Sequence, residues 1–133
     1  MATIVVVEDQ PDSRKLLTTL LTLKGHEVLA FGNGEGLLEA ARTHQPKPDL
    51  ILLDIQLPGR DGYALLGDLD TIEGGRPCKV VALTAHAMAG DRERALAAGF
   101  DGYITKPIDV RTFPTEVASY LGSSSAPPAG GQP

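Results

Sequence analysis

Any chemistry in this chain falls to five side chains that stand at the ends of short apolar runs. Glu8 and Asp9 follow Thr3–Val7, Asp54 follows Leu50–Leu53, Thr84 follows Val80–Leu83, and Lys106-Pro107 follows Gly102–Thr105. Three carboxylates brought into one cleft repel one another and raise one another's pKa unless positive charge sits among them. An all-oxygen cluster of this kind suits a hard cation, and Mg²⁺ retaining several waters is the natural candidate. Lys106 offers a second positive partner, for Asp54 or for a phosphoryl group on it, and Thr84 offers a hydroxyl donor. Taken singly, each residue has an ordinary reading. An acid pair suits a solvated loop or a helix N-terminus, an Asp after a strand suits a turn, and a lone Thr or Lys says little. The order of all of them along the chain carries the argument.

The elements that must position these residues are legible as a repeating pattern. Five apolar runs, with Glu27–Phe31 as the second, alternate with helix-like segments. The first, third and fourth runs are nearly continuous in Val, Ile and Leu, as in strands buried on both faces of a parallel sheet. Leu16, Leu17, Leu20, Leu21 and Leu23 fall mostly on one face of a first helix that stops at Gly25. Glu35 to His44 reads as a second helix, ended by Pro46 and Pro48. Asp61 caps a third, running to about Leu69, with Gly74, Gly75 and Pro77 in the loop after it. Met88 to Ala98 reads as a fourth, closed by Gly99. Asp109 is a natural N-cap for the fifth, but Pro114 should delay the regular helix to about Phe113 or Pro114, and its end is expected at Leu121.

Five β-α units in a row predict an α/β fold: a doubly wound, five-stranded parallel sheet of order 2-1-3-4-5 with five flanking helices. In such sheets the site lies outside the carboxyl ends of the strands, near the switch point between strands one and three. That is where Glu8, Asp9 and Asp54 stand.

The 133 residues suit one domain, expected over residues 1–122, with the Pro- and Gly-rich stretch 123–133 as a disordered tail or linker stub. The composition, 42% hydrophobic and 22% charged, is that of a globular chain. A net charge of −5 argues against a general nucleic-acid or anionic-membrane binder. No apolar run is long enough to span a bilayer, and the opening residues carry no secretory leader pattern. The lone Cys78 makes no internal disulfide, so a reducing cytoplasm is the expected compartment and a structural role the expected one.

Three stretches, VVVEDQPDSRKLL, DLILLDIQLPGRDGY and VVALTAHAMAGDRERALAAGFDGYITKPID, make the chain resemble the receiver domains of two-component response regulators. The resemblance covers roughly residues 3 to 121, with the DIQLP and TA-x-AM-x-GD phrasing closest to stand-alone receivers of the DivK type. It implies the flavodoxin-like receiver fold and a signalling phospho-acceptor rather than an enzyme, one that promotes its own phosphorylation and autodephosphorylation. Asp54 would take a phosphoryl group from a sensor histidine kinase or histidine phosphotransfer protein. Asp9 and Asp54 would bind Mg²⁺ directly, Glu8 chiefly through water, and the backbone carbonyl of Gln56 would complete the set. Lys106 would pair with one phosphoryl oxygen and Thr84 with another, and the Lys106–Pro107 bond would be cis. Thr84 and Tyr103 would form the switch, altering the face made by helix four, strand five and helix five. That face would meet a downstream protein target, and members of the family pair through it as homodimers. Gln56 and His86 would tune phosphate lifetime; His86 reads equally well as part of a partner surface, while His26 and His44 read as surface residues.

Other readings are a phosphate relay or sink without a dedicated output, a binding module of fixed conformation, and an aspartyl-nucleophile phosphohydrolase. The last usually carries a second Asp two residues after the nucleophile as general acid, where this chain has Gln56. The fixed module would lack a site residue, and none is missing.

Overall fold

The computed structural model describes residues 2–43, 48–57, 59, 61–72, 76–85 and 90–125. Five strands, β1 (Thr3–Val7), β2 (Glu27–Phe31), β3 (Leu50–Asp54), β4 (Lys79–Thr84) and β5 (Gly102–Thr105), alternate with α1 (Pro11–Leu23), α2 (Gly34–Thr43), α3 (Gly62–Asp70), α4 (Asp91–Ala98) and α5 (Phe113–Ser125). All pairings are parallel and the order is β2-β1-β3-β4-β5, as the repeating pattern predicts.

Alternation along the central strands divides the core in two. Val5, Val7, Ile51, Leu53, Val80 and Ala82 face α2, α3 and α4, where Leu37, Leu65, Leu66, Leu69 and Ala95 meet them. Ile4, Val6, Leu50, Leu52, Val81 and Leu83 face α1 and α5, packing on Leu17, Leu21, Phe113 and Val117. A strand covered on both faces needs apolar residues at every position, which is why β1, β3 and β4 read as continuous runs. Cys78 packs against the first of these layers, consistent with the structural role expected of it.

Local chemistry sets the helix ends. Pro11 starts α1, where its missing N–H costs nothing. The Asn33 side chain accepts from the Glu35 N–H at 3.0 Å to open α2. Asp61 accepts from the Ala64 N–H at 2.9 Å, capping α3 as expected.

Several boundaries differ from expectation. Gly90 has φ +95°, outside the helical region, so α4 begins at Asp91; residues 86–89, including the expected start at Met88, lie outside the described residues. Asp109 does not cap α5. Its carbonyl instead accepts from the N–H groups of Thr112 and Phe113, and its carboxylate accepts from that of Arg111, closing a turn ahead of the helix. Pro114 then occupies the first turn, where it is tolerated, and α5 continues to Ser125 rather than stopping at Leu121. On α1, Leu17 and Leu21 are buried, but Leu16 is 36% and Leu23 76% exposed, so the buried stripe is narrower than the leucine count suggests. His26, expected at the surface, is half-buried, with Nδ1 accepting from the Ala2 N–H at 3.3 Å. No helix among the described residues is long and apolar enough to cross a membrane.

Candidate functional site

Strand register alone gathers the acidic residues. Val7 pairs with Leu53, so the next step of each strand sets Glu8 beside Asp54. Thr84 pairs with Thr105, and the Lys106 N–H donates to the Thr84 carbonyl at 2.7 Å, which carries Lys106 to the same edge. The Lys106–Pro107 bond is cis, as the resemblance implies.

Glu8, Asp9 and Asp54 each present a carboxylate oxygen within 4.8 Å of the others. Glu8 is fully buried and Asp54 nearly so, while Asp9 is half-buried. The Lys106 ammonium stands 2.9 Å from Asp54 Oδ2 and also contacts Glu8 Oε1. The second oxygen of Asp54, Oδ1, accepts from the Gln56 N–H at 2.8 Å, and Glu8 Oε2 accepts from the Gln10 N–H at 3.0 Å. Glu8 Oε1 lacks a well-directed hydrogen bond, so its contact with Lys106 is an ion pair.

Burial pushes the Glu8 carboxyl above its usual range; the Lys106 ammonium and the Gln10 N–H oppose that shift, and the Asp54 charge adds to it. Burial alone would pull the Lys106 ammonium down, but the Asp54 and Glu8 carboxylates outweigh it and the net shift is upward. Lys106 therefore stays charged. Three converging carboxylates against one ammonium leave negative charge uncompensated. An oxygen-only donor set in that condition fits a hard divalent cation.

Thr84 is buried and lies on the α4 side of the sheet with Tyr103. Both line a cleft of about 400 Å³, together with Ile55, Gln56, Asp61 and Tyr63. Arg94 lies over the Tyr63 ring at 5.3 Å and spans this cleft from α4 to α3. The structure thus brings Glu8, Asp9, Asp54, Gln56, Thr84, Tyr103 and Lys106 to one end of the sheet. His86 and His44 lie outside the described residues.

Sequence reading overlooked two residues, Gly62 and Arg14, and one backbone donor, the Gln56 N–H. Gly62 packs so closely under Asp54 that a Cβ there would lie 2.7 Å from the Asp54 carbonyl oxygen. Arg14, on α1, donates from Nη1 to the Glu8 carbonyl at 2.9 Å. The main chain of Gln56, expected to act through its carbonyl, also presents its N–H to Asp54. Only Gly62 left a signal, a glycine directly after a helix cap.

Comparison with known proteins agrees with this geometry. The family model described as response regulator receiver domain matches residues 4–118. The polar-differentiation response regulator DivK of Brucella anthropi is 40% identical over 121 residues, spanning 91% of this chain and 97% of that protein; the DivK of Brucella abortus is equally similar. Among solved structures, the receiver domain of a sensor histidine kinase from Pseudomonas aeruginosa, with a magnesium ion coordinated in its active-site cleft, is 31% identical with a TM-score of 0.79, covering 91% of this chain and 98% of that one. The BeF3-activated receiver domain of Klebsiella pneumoniae RstA is likewise 31% identical, with a TM-score of 0.77 over 90% of this chain and 97% of that one. With strand order, acidic cluster, family model and relatives in agreement, this chain belongs to the response regulator receiver domain family.

Proposed function

We propose that Asp54 accepts a phosphoryl group from a phosphohistidine on a sensor histidine kinase or histidine phosphotransfer protein. An Asp54 carboxylate oxygen forms the new P–O bond as the P–N bond to the donor imidazole breaks, and the imidazole leaves with the electron pair and is reprotonated. Glu8, Asp9, Asp54 and the backbone carbonyl of Gln56 would hold Mg²⁺, with Glu8 acting chiefly through water. Bound there, the ion would supply positive charge against the phosphoryl oxygens.

The residues of the chain do the rest. The Gln56 N–H and the Lys106 ammonium fix the Asp54 carboxylate from two sides, so it meets the incoming phosphorus in one orientation. Lys106 then passes from the carboxylate to a phosphoryl oxygen, and the Thr84 hydroxyl takes another. Movement of Thr84 toward the phosphoryl group would free room in the cleft it shares with Tyr103, letting Tyr103 turn inward and changing the α4–β5–α5 face presented to a protein target. Gln56 and His86 would set how readily water reaches the acyl phosphate. The observation that carries this reading is a nearly buried Asp54 held by Lys106 within an oxygen-only acidic cluster.

The test is phosphorylation by acetyl phosphate, with and without Mg²⁺, followed by intact mass of the wild type and Asp54→Asn. One phosphate adduct is expected, dependent on Mg²⁺ and missing from Asp54→Asn. A folded wild type that neither gains the adduct nor binds beryllofluoride would refute the reading and favour a binding module of fixed conformation.

A further inference from the structure

The β1–β2 ladder ends one rung short of the acidic cluster. Its last registered pair is Val7 with Phe31, and the Glu8 N–H still donates to the Phe31 carbonyl at 2.9 Å. In a continuing parallel ladder the Glu8 carbonyl would next accept from the N–H of residue 33. Here the chain turns away after Phe31 to open α2, and the Arg14 guanidinium occupies that acceptor from α1, with Nη1 at 2.9 Å. Gly32 leaves the space for it: a Cβ at position 32 would lie 3.0 Å from Arg14 Nη1.

The backbone of Glu8 is therefore fixed on both sides, at its N–H by β2 and at its carbonyl by α1. Its side chain is fixed as well, by the Gln10 N–H and by Lys106. Arg14 is anchored in its own helix, its N–H donating to the Gln10 carbonyl at 2.9 Å and its carbonyl accepting from the Thr18 hydroxyl at 2.8 Å. Two residues that carry the acidic pair and its flank, Glu8 and Gln10, are thus both bonded to Arg14, and Asp9 lies between them.

We propose that Arg14 is a positioning residue for the divalent-cation site, acting by holding the Glu8–Gln10 backbone so that the Glu8 and Asp9 carboxylates converge with Asp54. The inference rests on the metal-binding reading above. It makes a prediction opposite in sign to simple electrostatics. A guanidinium beside a cation site repels the cation, so on charge alone its removal should tighten binding. Loss of a group that orients ligands should weaken it, and supporting partners of this kind typically contribute ten- to a hundredfold in metal affinity.

The experiment is Mn²⁺ binding followed by electron paramagnetic resonance on the full chain, comparing wild type, Arg14→Met and Arg14→Lys. Thermal melting in EDTA accompanies each, as a measure of fold that involves no metal. Arg14→Met keeps the length and loses both donor and charge; Arg14→Lys keeps a donor and the charge. The expected result is a dissociation constant raised about tenfold in Arg14→Met and within about threefold of wild type in Arg14→Lys. All three proteins should melt cooperatively in EDTA. Unchanged or tighter binding by Arg14→Met would overturn the proposal, as would an equal loss in Arg14→Lys. A wild type that binds no Mn²⁺ overturns the metal-binding reading itself and this inference with it, a different result from a binding wild type with an indifferent Arg14→Met.

Discussion

Gly62 and Asp54 are in backbone contact across the β3–α3 turn: a Cβ on Gly62 would stand 2.7 Å from the Asp54 carbonyl oxygen and 2.7 Å from the Ile55 Cα. The Gly62 N–H also donates to the Ile55 carbonyl at 2.8 Å, so α3 begins directly beneath the residue proposed to take the phosphoryl group. Both obstructing atoms are main chain and cannot rotate aside. Gly62→Ala should therefore push the end of β3 and cost about 1–3 kcal/mol. Urea unfolding measures that loss, and acetyl phosphate labelling should slow in the same variant. Gly67, beside which nothing lies within 4 Å, is the control: Gly67→Ala should be neutral or mildly stabilising.

Lys106 sets one positive charge against the buried carboxylates of Glu8 and Asp54, and its own side chain is only 17% exposed. Lys106→Met should destabilise the metal-free protein by about 3 kcal/mol at pH 7, because it leaves the two carboxylates facing one another. The pKa of Lys106 is raised by folding, so its stabilisation is fully present below the ordinary value of 10.5 and disappears as pH rises through the folded value. Denaturant melts of both proteins from pH 7 to 11 should show a constant gap that narrows only above about pH 10.5.

Arg76 ties the C-terminal ends of α3 and α4 together. It donates to both oxygens of Asp70, at 2.6 and 3.1 Å, and to the Gly99 carbonyl at 2.6 Å. The Arg76 guanidinium holds the Asp70 carboxyl below its usual range. A depressed carboxyl pKa stabilises above the ordinary value of 3.8 and loses that effect as pH falls through the folded value. The Asp70 side chain is 51% exposed, so Asp70→Asn should cost less than about 1 kcal/mol. Arg76→Ala should cost more, because the Gly99 carbonyl loses its charged donor. Melts at pH 7 and pH 3 test this: the penalty of Asp70→Asn should be present at the first and shrink at the second.

Helix α4 buries only Ala95, and its one large aliphatic residue, Leu96, is 41% exposed. Helix α1, by contrast, anchors on fully buried Leu17 and Leu21. Backbone amides of α4 should therefore exchange with deuterium well before those of α1, since little apolar burial opposes local opening. Equal protection of the two helices would remove the physical basis for α4 as the movable part of the switch face.

The chain order of apolar runs and the residues closing them determined most of this protein. Continuous Val, Ile and Leu in β1, β3 and β4 specify strands covered on both faces. Their alternation with helical segments specifies the parallel order and places Glu8, Asp9, Asp54, Thr84 and Lys106 at one sheet edge. Local capping was equally legible at Asp61, because a cap bonds within its own first turn. The tertiary structure decided what depends on approach between distant segments. That Arg14 rather than a sixth rung of β2 satisfies the Glu8 carbonyl, that Gly62 must lack a side chain, and that Arg76 reaches Gly99 are facts of packing. The start of α4 belongs to the same class: a helix end set by a glycine in the left-handed region has no counterpart in residue spacing. Spacing specifies which face a side chain takes, and only the folded backbone fixes which far-off atom it meets there.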